Sequence, residues 1–303
     1  MILIMLFHQY FTRIFPFNFF HNFGHWGVDI FLFLSGMGMV KSLNINSLGV
    51  FYKRRFLRLF PSCVFCGTAK YTLSIIFSSS IFNLLEKQFY NYQSLASLDL
   101  WFIPTIIILY SIAPALYTFI CKWPLITIKF IVLIFFLADF TLRPLVSYDR
   151  LSPAGILLWT NERLPVFSIG MYICIYSDWI DRNKHKITLS LLFAVILRIL
   201  EKVGVSFPGI QACQYLLLAF GVPTLIRLCI FILKKTHTAI QLPLIFIGSH
   251  SLEIYLVHEF IFHIFLINNN SNPWIVLFTC LILSCISAHL CKMCTNKIKA
   301  IIS

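Results

Sequence analysis

Charge is what this sequence has least of. Asp, Glu, Lys and Arg together make up 12% of its 303 residues, about half the share found in an ordinary soluble domain. So few polar side chains exclude a water-soluble globule of this length, because nothing would cover its core. Acid is the scarcer sign: 11 Asp and Glu stand against 24 Lys and Arg, for a net charge of +13. Long polar stretches are missing too. The longest segments between apolar runs are 13–26, 82–100 and 142–154, which leaves no room for a soluble domain, a coiled coil or a low-complexity tail. A basic leader followed by a small-residue cleavage site is absent, so no cleavable signal peptide is expected. Nothing matches a nucleic-acid module, and no nucleic-acid partner is expected. The basic excess sits in short clusters between apolar runs, where attraction to anionic headgroups and control of topology account for it.

What the sequence has in abundance is hydrocarbon. Hydrophobic residues reach 59%, Phe alone contributes 32, and the mean hydropathy is +0.86. A transmembrane helix needs about 20 apolar residues in a row, and only helices and closed barrels satisfy their backbones in lipid. The runs here are too long for barrel strands. They predict spans at 1–12, 27–46, 60–81, 101–120, 124–141, 155–176, 187–204, 212–232, 242–266 and 274–292. The expected fold is all-α: a polytopic transmembrane helical bundle of about ten spans, the first one short, forming a single membrane-embedded domain over 1–303. With residue 1 placed in the cytoplasm, inside connections hold twelve Lys and Arg and outside connections four. That bias supports both termini on the cytoplasmic side. The ten cysteines suggest no disulfide framework. Cys63/Cys66 and Cys291/Cys294 have CxxC spacing, but they lack further His or Cys at ligand spacing. They read as small, soft packing residues, and no metal is expected.

Ionisable residues inside lipid are costly unless paired or facing a cavity, which makes the few present here informative. His8 lies in the first apolar segment, and Asp29 follows Gly24-His25-Trp26-Gly27-Val28. Glu253, His258 and Glu259 fall in the ninth span. A neutral imidazole is the usual general base near neutral pH, so His8 is the sharpest catalytic candidate. Its bland alternative is a His bonded to a neighbouring helix, and His258 carries the same two readings. Asp29 reads as a cap or as the pair of a nearby His. Phe51 to Pro61 runs FYKRRFLRLFP. On a helix Arg54 and Arg58 share a face with Arg55 beside it. A positive-inside anchor explains this cluster, and so does a phosphate site, since Arg suits bidentate phosphate contact. Glu162 and Arg163 are expected to open a span with Pro165 in its first turn, which makes Arg163 an interfacial anchor on the structural reading. Ser35-Gly36 reads as helix packing, with Ser35 as a nucleophile the weaker alternative.

Taken in order, these features resemble the integral membrane acyltransferase-3 family, which O-acylates bacterial surface carbohydrates. The matching stretches begin with His8 at the close of an apolar opening segment, then GHWGVDIFLFLSG from Gly24 to Gly36 and the basic run Phe51 to Pro61. They continue with Leu100-Trp101-Phe102 ahead of Tyr110 and Pro114, then Arg163, Phe167 and Gly170, and end with SLEIYLVH from Ser251 to His258. The resemblance implies transfer of an acyl group, most simply acetyl, from acetyl-CoA or another acyl-CoA to a carbohydrate hydroxyl. His8 would be the catalytic base, and Arg54, Arg55 and Arg58 would engage the CoA phosphates. Asp29, Arg163 and His258 would support or touch substrate. Implied partners are a carbohydrate or lipid-linked glycan acceptor, membrane lipid and polysaccharide-assembly machinery. The implied location is the cytoplasmic membrane. Family members carry an Arg about ten residues before the His, whereas this chain begins seven residues before His8. Either the start lies further upstream, or the Arg is lost and the chain is an inactive relative. Met37 also stands where a Phe is usual. A small-solute transporter is the competing class, but paired inverted segments with matched Gly or Pro breaks are absent.

Overall fold

The computed structural model describes residues 24–77, 102–146, 152–205, 209–266 and 273–302. His8 and the expected span 1–12 lie outside the described residues. All regular structure among the described residues is helical. The helices are α1 (Gly24–Ile45), α2 (Leu48–Phe77), α3 (Phe102–Lys122), α4 (Pro124–Leu142) with a 3-10 turn at Arg143–Leu145, α5 (Pro153–Ile175), the short α6 (Asp178–Arg182), α7 (Lys184–Lys202), α8 (Ile210–Lys235), α9 (Thr238–Ser249), α10 (Ser251–Leu266) and α11 (Pro273–Ile302).

Five of these are long and apolar enough to cross a membrane: α1, α3, α4 with its 3-10 turn, α8, and the Phe278–Lys297 part of α11. A sixth is added if α9 and α10 count as one broken span. The expectation of ten spans goes beyond this. The other apolar runs among the described residues are helical too, but they carry charge. In α5, for example, Asn161, Glu162 and Arg163 interrupt the hydrocarbon and all three are buried.

Local sequence sets the helix starts. Ser152 caps α5 by accepting a hydrogen bond from Gly155 N at 3.1 Å, and Pro153 occupies the first helical position, where its missing N–H does no harm. This corrects the expectation that Pro165 opens the helix. Pro165 is interior, because the Ser-Pro cap twelve residues earlier is the stronger start. Gly209, at φ 83°, turns the chain into α8, a backbone angle that glycine tolerates best.

The run 242–266, expected as one span, is bent by 73° between Ser249 and Ser251. The cause is local competition for one carbonyl. The Phe246 oxygen accepts from Ser249 Oγ at 2.9 Å and from the His250 backbone N–H at 3.1 Å, and His250 Nδ1 lies 2.9 Å from it. Side chains that bond their own backbone in this way bend or end helices.

The helices fall into two compact units. One comprises Trp26–Phe51 and Trp101–Thr236; the other holds the described parts of Tyr52–Leu100 and His237–Ser303. In the first, α5 is central and packs on α3, α4 and α8, while α7 and α8 form a close pair. Two glycines let α1 and α5 touch backbone to backbone. A Cβ on Gly36 would lie 2.2 Å from the Phe167 carbonyl oxygen, and one on Gly170 would lie 2.2 Å from that of Phe33. Such small residues bring membrane helices into direct contact. In the second unit α10 packs along α11, and the polar residues Ser62, Glu253, His258 and Ser284 are all fully buried.

Candidate functional site

The α1–α5 crossing carries an ion pair. Arg163 and Asp29 each lie seven residues before the glycine of their own helix, so two turns on both sides align them. Arg163 Nη1 donates to Asp29 Oδ1 at 2.9 Å, with side chains 0% and 3% exposed. Contacts at both levels make the two helices parallel. Arg163 is the largest fully buried side chain described. It is not the interfacial anchor expected of it, because Asp29 compensates its charge and Trp159 and Tyr215 face its guanidinium at 5.8 and 4.6 Å. An aromatic face attracts a cation most strongly when water is excluded. Asp29, in turn, is neither a cap nor the pair of a His among the described residues. Its Oδ2 has no hydrogen-bond partner among them.

A chain of alternating charge continues from Glu162, the neighbour of Arg163. Arg143 at the end of α4 donates from Nη2 to Glu162 Oε1 at 3.0 Å and from Nε to Asp139 Oδ2 at 3.0 Å, with a second, shorter bond to Asp139 Oδ1. Its Nη1 donates to Gln211 Oε1 of α8 at 2.6 Å. Gln211 and Gln214 then donate to Glu201 of α7 at 3.1 Å each, and Arg198 pairs with the same carboxylate at 2.6 Å. Glu162 Oε2 has no partner among the described residues. These groups gather where α4 and α7 end and α8 begins, against the middle of α5.

In the other unit the basic cluster occupies the first turns of α2, with Arg54 exposed and Arg55 and Arg58 half-buried. Neither Arg54 nor Arg58 makes an ion pair among the described residues. One turn beyond Arg58, Ser62 donates to Glu253 Oε1 at 3.1 Å. His258 is fully buried, with Nδ1 2.7 Å from the Tyr255 carbonyl oxygen and 3.1 Å from that of Ile254. A carbonyl can only accept, so Nδ1 carries a proton. Cys66 and Cys291, one from each CxxC, meet through a hydrogen bond. Among the described residues no group of three or more His, Cys, Asp or Glu is placed to hold a metal ion.

The family described as an acyltransferase domain matches residues 1–291. The chain belongs to the acyltransferase-3 family. No curated protein and no solved structure matches it. The acyltransferase is thus a membrane protein whose site residues can be placed unit by unit. The structure brings Asp29 to Arg163 and sets Arg54, Arg55 and Arg58 on one helix end. His258 lies fully buried on α10. Sequence reasoning missed Asp139 and Arg143. Asp139 sits in the apolar run 124–141 and was absorbed by it. The signal was available: Asp and Arg four apart at a helix end are placed to pair.

Proposed function

We propose that this acyltransferase moves an acyl group, most simply acetyl, from acyl-CoA to a hydroxyl of an exported or cell-surface carbohydrate. The observation that carries the reading is the family match over residues 1–291; the donor and acceptor rest on the chemistry of the residues. His8 takes the acceptor hydroxyl proton, which needs its nitrogen about 3 Å from that oxygen. The oxygen attacks the thioester carbonyl, the ester C–O bond forms and the C–S bond breaks. The imidazolium then returns its proton to the departing CoA sulfur. Arg54, Arg55 and Arg58 bind the CoA phosphates. The chemistry of this set fits: guanidinium groups are exposed or half-buried at a helix end, and phosphate accepts paired N–H donors from Arg. Asp29 and Arg163 support the acceptor side, and His258 supports the buried interior of α10. The protein sits in the cytoplasmic membrane with both termini inside, which puts the arginine cluster beside the cytoplasmic acyl-CoA pool.

The test is transfer of labelled acetyl from acetyl-CoA by the full-length protein in detergent, together with NMR of surface polysaccharide from cells with and without the gene. Turnover that is abolished in His8→Ala, with ester signals that disappear when the gene is deleted, is the expected result. Solute uptake without any acyl transfer would overturn the reading in favour of a transporter.

A further inference from the structure

We infer that the polar ladder formed by Asp139, Arg143, Glu162 and Gln211, flanked by Trp159 and Tyr215, is the binding subsite for the acceptor, and that it takes a neutral, hydroxyl-rich sugar. This deepens, and rests on, the proposed carbohydrate acylation.

The ladder grades from solvent to interior. Gln211 is exposed, the Arg143 side chain is 32% exposed, that of Glu162 is 4% exposed, and the Arg163–Asp29 pair forms a floor closed to solvent. A purely structural network would close its hydrogen bonds, because a buried polar atom without a partner is destabilising. Here two carboxylate oxygens, Glu162 Oε2 and Asp29 Oδ2, lack partners among the described residues although both residues are more than nine-tenths buried. Asp29 Oδ2 lies in the closed floor, whereas the Glu162 carboxylate is the one joined to the part-exposed Arg143.

The balance of donors and acceptors identifies the class of ligand. Three carboxyl groups (Asp29, Asp139, Glu162) face two guanidiniums (Arg143, Arg163), and carboxyl oxygens are left over. An anionic ligand such as a uronic acid or a sugar phosphate would bring a further acceptor group where donors are already short. A neutral sugar brings no charge of its own, and its hydroxyls both donate to carboxylate oxygens and accept, as the amide N–H of Gln211 that Glu201 does not hold requires. Trp159 and Tyr215 are both part-exposed. They offer flat apolar walls beside the polar groups, the usual mixture in a small-molecule site. Glu201, held by Arg198, Gln211 and Gln214, positions the Gln211 amide from behind.

The decisive experiment compares Michaelis constants in purified full-length protein, with acetyl-CoA as donor and alkali-de-esterified surface polysaccharide of the source organism as acceptor. Gln211→Ala, at an exposed position, and Glu162→Gln, which keeps the side-chain shape, are each expected to raise the polysaccharide KM about tenfold, the size of one hydrogen bond to a charged group. The acetyl-CoA KM should stay within about twofold, since no phosphate-binding group is touched. A polysaccharide KM unchanged in both variants, or both constants rising in parallel, would overturn the assignment. So would full activity of the variants toward the neutral polymer combined with inhibition by glucuronate. If the wild-type protein itself transfers no acetyl group, it is the proposed function that fails, and the two outcomes are read from different samples.

Discussion

Arg163 holds its charge in a setting that no water reaches, and Asp29 is the group that makes this tolerable. Removing one partner of a buried pair is far more damaging than the pair is favourable, because it strands the other charge. Asp29→Asn should therefore destabilise the protein by about 3 kcal/mol. Part of that loss should return when Arg163→Gln is added, since the double variant strands nothing. Thermal unfolding in detergent, followed by tryptophan fluorescence, measures both. If the double variant is the sum of two large losses, the pair is not the unit described here. Half of this pair was legible in the sequence: an acid and an arginine in apolar surroundings demand partners. That they are each other's partner was not, because 134 residues separate them and only packing of α1 on α5 brings them together. Asp139 and Arg143 are the converse case. Their spacing of four is a local signal, but it is drowned by the apolar run around Asp139. Such a run is still readable as a helix, whereas the one polar residue within it is readable only through its partner.

At the scale of elements, the close approach of α1 and α5 decides whether that pair can form at all. Gly36→Ala or Gly170→Ala would set a methyl group against a backbone carbonyl that cannot move without its helix. Gly38, on the same helix, has nothing within 4 Å of where its Cβ would be. The two glycines are expected to differ in sign on substitution. Gly38→Ala should stabilise by up to about 1 kcal/mol through helix propensity. Gly36→Ala should destabilise by about 1–3 kcal/mol, the range for overpacking a tight contact, and should weaken the Asp29–Arg163 pair two turns away. Melting temperatures of the two variants, compared side by side, check this. Equal shifts would mean that α1 and α5 do not cross at these glycines. The GHWGVDIFLFLSG stretch showed in the sequence that Gly36 packs, but not against what. The break between α9 and α10 was hidden altogether, because Ser249 and His250 interrupt no hydropathy; they act by bonding the Phe246 carbonyl.

The whole molecule has to be placed in its membrane, and charge gives the sense. The segment after α4, with Arg143 and Arg150, falls on the poorer side of the bias. The segments at Arg182–Lys186 and Lys234–Lys235 fall on the richer one. On the orientation proposed above, the subsite opens at the poorer side, where α4 ends and α8 begins. The basic start of α2 belongs to the richer one by the same count. Acylation of an exported sugar from a cytoplasmic thioester requires the proposed subsite to open away from the cytoplasm. Fusions to alkaline phosphatase, which is active only outside the cytoplasm, and to a fluorescent protein, which matures only inside, separate the possibilities. A fusion after Ser147 should give phosphatase activity and no fluorescence, and one after Thr236 the reverse. Replacing Lys234 and Lys235 with Gln should weaken that contrast, because the Lys and Arg bias near span ends sets orientation. The opposite pattern at both sites would place the subsite of Asp139, Arg143 and Glu162 beside the acyl-CoA pool. It would then have to serve an acceptor made and acylated in the cytoplasm.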